Sequence, residues 1–285
     1  MSKKSNDLLQ IIIIYLIIAV VGLGLWYIWP YENQVIRLLV SDLGMTLVCF
    51  FFSVVKKNSS VYDAYWSIIP FYFVLFWSML YLEKLDLHRI LAMLVISIWS
   101  WRLTLNWVRS WSGFHHEDWR YIKLAKENGK LYPLVNFFGI HLFPTLLVFA
   151  GMWPIYYIFQ NQLFSSGIFF LGIAVSLIGT GLEYVADNQL AAFRKTNPPS
   201  TQLLDTGIWS RSRHPNYLGE MLFWLGLFVI GYAYQAPYYT VIGALSMMAL
   251  FIFISIPMKE ARMSARKSGF EAYSQKVPMV ILKIF

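Results

Sequence analysis

Cysteine is almost missing: Cys49 is the single one in 285 residues, which excludes an intramolecular disulfide, a thiolate zinc cluster and a CxxC redox centre. It sits inside an apolar run, where a thiol serves as a small buried hydrophobe. Charge is scarce too, at 13% of residues, about half of the roughly 25% usual in soluble domains. Low-complexity linkers and short internal repeats are absent, so the chain reads as one domain over 1–285 with no soluble part. No small-residue cleavage pattern follows the first apolar run, which therefore reads as a retained span rather than a signal peptide. No basic stripe interleaved with aromatics is present, which argues against nucleic acid as a partner. His214 has no HxxxH or cysteine companion, and Glu183 and Asp187 lack the ExxH of a di-iron bundle, so no metal is expected.

What is present is apolar: 58% hydrophobic and 18% aromatic residues place the chain in a membrane. A spanning helix needs about 20 mainly apolar residues, because its backbone must satisfy its own hydrogen bonds in lipid. Eight stretches come up to or near that length, at about 10–29, 35–55, 66–82, 89–107, 135–159, 166–186, 217–234 and 237–257. The third and seventh are the shortest. Trp26, Trp29, Tyr81, Trp107, Tyr156, Tyr157, Tyr234 and Tyr239 gather near span ends, as an aromatic belt does. The expected fold is all-α, a polytopic integral membrane helical bundle of about seven or eight transmembrane helices. A two-helix hairpin over 1–60 precedes a core over 61–285 with polar loops at 108–134 and 186–216 and an interfacial tail at 258–285.

Eight alternating spans put Lys3, Lys4, Lys56, Lys57, both long loops and the lysine-bearing tail on one side, and leave Arg37, Lys84 and Arg89 on or near the other. Basic residues favour the cytoplasmic side, so both termini are expected there. The address is a bacterial inner membrane, or the endoplasmic reticulum in a eukaryote. The net charge of +8 serves orientation and anionic lipid, but arginines beside helix starts also suit phosphate, which guanidinium grips with two bonds.

Local signals mark the loops. Glu117 to Gly129 suits a short interfacial helix ended by Gly129, Asn197 to Ser200 breaks a helix, and Asp205 to Gly207 makes a turn. The polar residues concentrate in one region. In "GLEYVADNQLAAFR", Glu183, Asp187 and Arg194 are spaced by four and seven and share one helix face. Past the turn come Arg211, Arg213, His214, Asn216, Tyr217 and Glu220 in "SRSRHPNYLGE". Together they offer cationic forks for phosphates, amide and carboxylate partners for ribose hydroxyls, and aromatic walls from Trp209 and Tyr217. The plainer alternative is that these groups pair with one another and close the end of a bundle.

The stretch "DTGIWSRSRHPNYLGEMLFWLG", with "EYVADNQLAAFR" and "HHEDWRY" before it, resembles the membrane reductases of the steroid 5-alpha-reductase superfamily, bacterial-type branch, over most of the chain from about Tyr62. RHPNYxGE alone is less specific, since isoprenylcysteine carboxyl methyltransferases carry a similar element. The resemblance implies NADPH as cofactor, an enone in a hydrophobic lipid as substrate, and cofactor contacts at Glu183, Asp187, Arg194, Asn216 and Glu220. Arg102 in "WSWRL" matches a family arginine near the cofactor, with snorkelling as the plain alternative. Glu260 and Arg262 in "PMKEAR" match the reductase branch. Tyr62 and Asp63 in "VYDAYW" fall where the steroid enzymes polarise the substrate carbonyl; a protonated aspartate there donates a hydrogen bond, or Asp63 simply caps the next helix. Glu117, Asp118, Arg120 and Tyr121 help close a lid or merely pair at the surface. Trp99 stands where the steroid enzymes have a tyrosine, which departs from a steroid substrate. An S-adenosylmethionine-dependent methyltransferase and a non-enzymatic lipid-binding bundle are the competing readings.

Overall fold

The computed structural model describes residues 3–30 and 32–283, and among them the chain is helical with no strand. The outermost residues of the expected 1–285 domain lie outside that range. In chain order the helices are α1 (Lys3–Ile28), α2 (Gln34–Lys56), α3 (Tyr65–Leu80), α4 (Leu87–Ser110), α5 (Trp119–Asn128), α6 (Tyr132–Val135), α7 (Phe143–Gln160), α8 (Ser166–Lys195), α9 (Pro215–Tyr232), α10 (Ile242–Leu250), α11 (Ile256–Arg266) and α12 (Phe270–Lys276). Wider π-helical turns join α6 to α7 at Asn136–Leu142 and α10 to α11 at Phe251–Ser255. Each ends two residues before a proline, Pro144 or Pro257, whose ring would otherwise press on the carbonyl four residues back.

Among the described residues, seven helical stretches are long and apolar enough to cross a membrane: Lys3–Ile28, Gln34–Lys56, Ser59–Leu80, Leu87–Ser110, Trp119–Gln160, Ser166–Lys195 and Tyr238–Arg266. Helix α9, the expected seventh span, is not among them. It is 18 residues long and spends its first two turns on Pro215, Asn216 and Glu220. Helix α1 begins two turns earlier than its apolar run. Its polar start is held by Asp7, whose carboxylate accepts the Phe114 N–H at 3.1 Å, and by Lys4, which donates to the Arg109 carbonyl at 3.3 Å.

The helices form two compact units, one of residues 1–85 with Ile96–Tyr156 and one of Asp86–Val95 with 157–285. In the first, the hairpin of α1 and α2 closes over Gly22, whose carbonyl accepts the Ser41 hydroxyl at 2.9 Å. The polar loop after α4 is fastened to the 3-10 turn Ser59–Tyr62. Asn58 donates to the carbonyls of Phe114 and His116 at 2.9 and 3.0 Å, and Glu117 accepts the Ser59 N–H at 2.6 Å. Helix α5 is the expected short helix, capped by Asp118 on the Arg120 N–H at 2.8 Å and ended by Gly129 at φ +48°.

In the second unit α8 and α9 run antiparallel with backbones nearly touching. A Cβ on Gly219 would lie 2.9 Å from the Glu183 backbone nitrogen, one on Gly179 2.7 Å from that of Phe223, and one on Gly226 2.8 Å from the Gly172 carbonyl oxygen. The glycines recur every seven residues on both helices, the repeat that keeps one stripe facing its partner, and small residues are what let membrane helices approach this closely. Arg89 is buried here, with Nε on the Ile158 carbonyl at 2.7 Å, Nη2 on that of Asn161 at 2.9 Å and Nη1 on the Asp86 carboxylate. That pairing explains how a guanidinium is tolerated in an apolar bundle.

Candidate functional site

The polar cluster of the second unit is assembled around the start of α9. Helix α8 continues to Lys195, so Glu183, Asp187 and Arg194 lie on one helix: Glu183 is buried beside Gly219, Asp187 half-buried, and Arg194 exposed in the last turn. The chain then returns over α8. Trp209 donates its indole N–H to the Ala186 carbonyl at 3.1 Å, and Gln189 accepts the Ile208 N–H at 2.9 Å. Gly207 makes the corner at φ +62°, where a Cβ would also strike Gln189.

Arg213 is spent on holding the chain together. Its Nε and Nη2 fork onto Glu260 at 2.7 and 3.3 Å, its Nη1 reaches the carbonyls of Ser274 and Val277 at 2.7 and 2.8 Å, and its backbone N–H donates to Pro278 at 2.9 Å. The tail is therefore docked onto the start of α9. It breaks at Gly269, φ +78°, and Phe270, Tyr273 and Val277 pack against Leu203 and Met263. Burial pushes the Tyr273 phenol up to about 12, so it stays protonated and donates to the Trp209 carbonyl. Of the two neighbouring arginines, only Arg211 has an exposed side chain.

His214 is fully buried with Nε2 2.9 Å from the Glu260 carboxylate. Burial holds its pKa below the ordinary imidazole value, with Lys259 and Arg213 adding to that and Glu260 opposing it. In the neutral ring Nε2–H donates to Glu260, so Nδ1 carries the lone pair. That Nδ1 is buried without a hydrogen-bond partner among the described residues, and so is Oδ1 of Asn216. Tyr217 stacks on His214 at 5.5 Å and on Phe251 at 4.9 Å, with the Lys259 ammonium 4.8 Å from its ring centre. Glu220 is buried and Arg262 half-buried. Helix α9 starts without a side-chain cap, which leaves the positive end of its dipole open.

The depressed His214 pKa has a measurable consequence. Near pH 6 the unfolded chain binds a proton at this residue that the folded chain refuses, so stability rises with pH there. The contribution is complete above about pH 6.5 and is lost as pH falls toward the folded value. Thermal melts between pH 7.5 and 5 should show a falling melting temperature whose slope flattens in His214→Gln.

In the first unit, Asp63 does not cap α3: the cap position is Ala64, without a side-chain bond. The Asp63 carboxylate instead accepts the Tyr121 hydroxyl at 2.7 Å. Tyr62 is buried with its hydroxyl 2.9 Å from Thr145 Oγ1, Arg102 is half-buried on α4, and Arg120 pairs with Asp118 at 2.8 Å. The structure thus groups Glu183, Asp187, Arg194, Arg211, Arg213, His214, Asn216, Tyr217, Glu220, Glu260 and Arg262 in the second unit, and Tyr62, Asp63 and Arg102 in the first. Sequence reasoning passed over Asp42 and His141, both fully buried. An ionisable residue inside an apolar span was the signal that marks them.

These features define a polytopic helical membrane protein with a buried polar cluster at one helix start. The chain belongs to the family described as "Protein of unknown function (DUF1295)", whose model matches residues 49–277. It is 30% identical over 206 residues to "Uncharacterized protein C594.04c" of Schizosaccharomyces pombe (strain 972 / ATCC 24843), a match covering 63% of this chain and 59% of that protein. The chain therefore spans less than two thirds of that relative's length. No solved structure matches it.

Proposed function

We propose that the protein is an NADPH-dependent membrane reductase acting on a carbon-carbon double bond conjugated to a carbonyl in a hydrophobic lipid. The observation that carries this reading is the pair of partnerless buried acceptors, His214 Nδ1 and Asn216 Oδ1, at the uncapped start of α9. A buried acceptor without a donor costs roughly 1–3 kcal/mol, and ribose hydroxyls or a carboxamide supply the missing hydrogens. The α9 dipole and the exposed Arg194 and Arg211 suit the phosphates. Arg213, offered by its position as a fork for phosphates, and Glu260, matched by the resemblance, also lock the tail and orient His214.

When bound, the cofactor supplies a hydride for the β carbon of the enone, balanced by a proton at the α carbon. The chain's own residues then have separable tasks. Glu183, Asp187 and Glu220 would accept hydrogen bonds from the sugar hydroxyls. Asp63, held by the Tyr121 hydroxyl on Oδ1, would donate a hydrogen bond to the substrate carbonyl in its protonated form and so stabilise the charge that develops there, with Tyr62 beside it in sequence. The basic loops would face the cytosol.

Thermal melts of the detergent-solubilised chain test the reading. A ligand at a hundredfold excess over Kd adds about 2.7 kcal/mol, so NADPH should raise the melting temperature by several degrees and S-adenosylmethionine should not. Asn216→Ala and Arg194→Ala should each weaken NADPH binding about tenfold without lowering the unliganded melting temperature. A shift with S-adenosylmethionine alone would transfer the case to the methyltransferase; a shift with neither would leave a lipid-binding bundle.

A further inference from the structure

One end of the first unit divides its charges unevenly. The start of α1, the ends of α2 and α4 and the start of α5 meet there. Lys4 reaches the Arg109 carbonyl, Asn58 those of Phe114 and His116, and the Asp118 N–H donates to Ser60 Oγ at 3.0 Å. Lys3, Lys57, Arg109, Lys123, Lys126 and Lys130 are exposed at this end. The carboxylates are spent inside: Asp7 holds the Phe114 N–H, Glu117 the Ser59 N–H, and Asp118 both caps α5 and pairs with Arg120. Among the described residues only Glu127 presents an exposed carboxylate here, 3.6 Å from Lys123. Ordinary soluble surfaces intersperse the two signs. This one keeps its acids for the fold and turns its bases outward.

The bases also mark a level. Within two turns of each, going away from this end, an exposed apolar side chain follows: Leu9 after Lys3 on α1, Val54 before Lys57 on α2, Leu105 before Arg109 on α4, and Leu131 beside Lys130. A bilayer draws that boundary between headgroups and acyl chains, with lysine stems along the apolar side and ammonium groups above it. The chain from Tyr132 to Gln160 is helical throughout and by itself longer than the roughly 30 Å hydrocarbon core. Helix α5, separated from it by the break at Gly129, φ +48°, is therefore left to the headgroup layer. It turns Tyr121 inward and Ile122, Lys123 and Lys126 outward, as a helix lying in the interface does.

We infer that this basic collar, centred on Lys123, Lys126 and Lys130, is a binding surface for anionic phospholipid, the headgroup on the lysines and the acyl chains against Leu131 and Leu134. Both of those leucines are exposed. A zwitterionic lipid carries the same phosphate beside its own cation, so the collar discriminates by net charge. Lysines that served only to orient the chain during insertion would leave no lipid preference in the folded protein. The inference does not depend on NADPH and goes beyond the reductase reading.

Competition between two lipids for the full chain, with no nucleotide added, tests it. The detergent-solubilised protein is mixed with equal amounts of dioleoylphosphatidylglycerol and dioleoylphosphatidylcholine, and the bound lipids are counted by native mass spectrometry. One lysine near an anionic surface is worth about a fivefold preference, so the parent should favour phosphatidylglycerol by about tenfold or more. Lys123→Gln, Lys126→Gln and Lys130→Gln together should remove most of that preference, and Lys→Arg at the same three positions should keep it. Lys84→Gln should leave it unchanged, because Lys84 follows Tyr81, which bonds Gln34 at the far end of α2. Equal binding of both lipids by the parent overturns the inference, as does a preference that survives in the glutamine variant. Displacement by an equal concentration of glycerophosphoglycerol, the same headgroup without acyl chains, also overturns it, since the surface would then be a site for a soluble anion. The first and last comparisons use the parent chain, so misfolding of a variant does not obscure them, and failure here leaves the NADPH melting shift intact as a separate result.

Discussion

Gly219→Val should all but abolish recovery of folded protein, whereas Gly181→Ala, on the same helix pair, should melt at or slightly above the parent temperature. At Gly219 a Cβ would sit 2.6 Å from Glu183 Cγ and 2.9 Å from its backbone nitrogen, and Val adds two methyls beyond that. The obstruction is main chain, which cannot swing aside, so α8 and α9 must separate along the whole seven-residue repeat and lose their packing together. Overpacking usually costs about 1–3 kcal/mol; forcing two backbones apart belongs at or above the upper end. Gly181 has nothing within 4 Å of its added Cβ. There only helix propensity acts, favouring Ala by roughly 1 kcal/mol. Monodisperse yield by fluorescence-detected gel filtration, followed by thermal melts, separates the two outcomes. Gly179→Val should match Gly219→Val, because a Cβ there lies 2.7 Å from the Phe223 nitrogen.

The contrast shows what sequence patterning reveals and what it hides. Span existence was legible because burial of backbone in lipid demands long apolar runs, and seven of the eight expected stretches are helices of spanning length. Gly129 and Gly207 were legible as stops and corners because both need a positive φ. Whether Gly179 or Gly181 faces another helix was not, since periodicity says nothing about which stripe meets a neighbour. The candidate site was half legible. Glu183, Asp187 and Arg194 do share one helix, and His214 and Asn216 do sit together at the next helix start. Nothing in the spacing told that Arg213 turns to the tail, because its partners are carbonyls of Ser274 and Val277 some sixty residues on. Nor did anything mark the widening at Asn136–Leu142: Pro70 and Pro154 lie inside ordinary helix, and only Pro144 and Pro257 follow a π turn.

Glu260→Ala should lower stability by about 3 kcal/mol with no nucleotide present and free the tail for proteolysis. Glu260 receives both arms of the Arg213 fork and the His214 ring, with its side chain 21% exposed and that of Arg213 12% exposed. Breaking a buried ion pair by removing one partner costs about 3–5 kcal/mol, and this degree of exposure places the effect at the low end. Arg213→Ala should cost as much or more, because it also strips the Ser274 and Val277 carbonyls of their donor. The double variant should then fall well short of the sum, a coupling of the size found for groups in one network. Limited trypsin digestion followed by intact mass should show cleavage at Lys267 or Lys276 appearing in both variants before any cut at Lys123 or Lys126 in α5. A tail that stays protected in Glu260→Ala, or additive losses in the double variant, would mean that Arg213 and Glu260 are not a clasp. Their charges would then be free to meet a nucleotide, as the resemblance implied for Glu260 and the polar cluster suggested for Arg213. The measurement therefore separates a fastening of the fold from a contact with cofactor at the two residues where both roles were in competition.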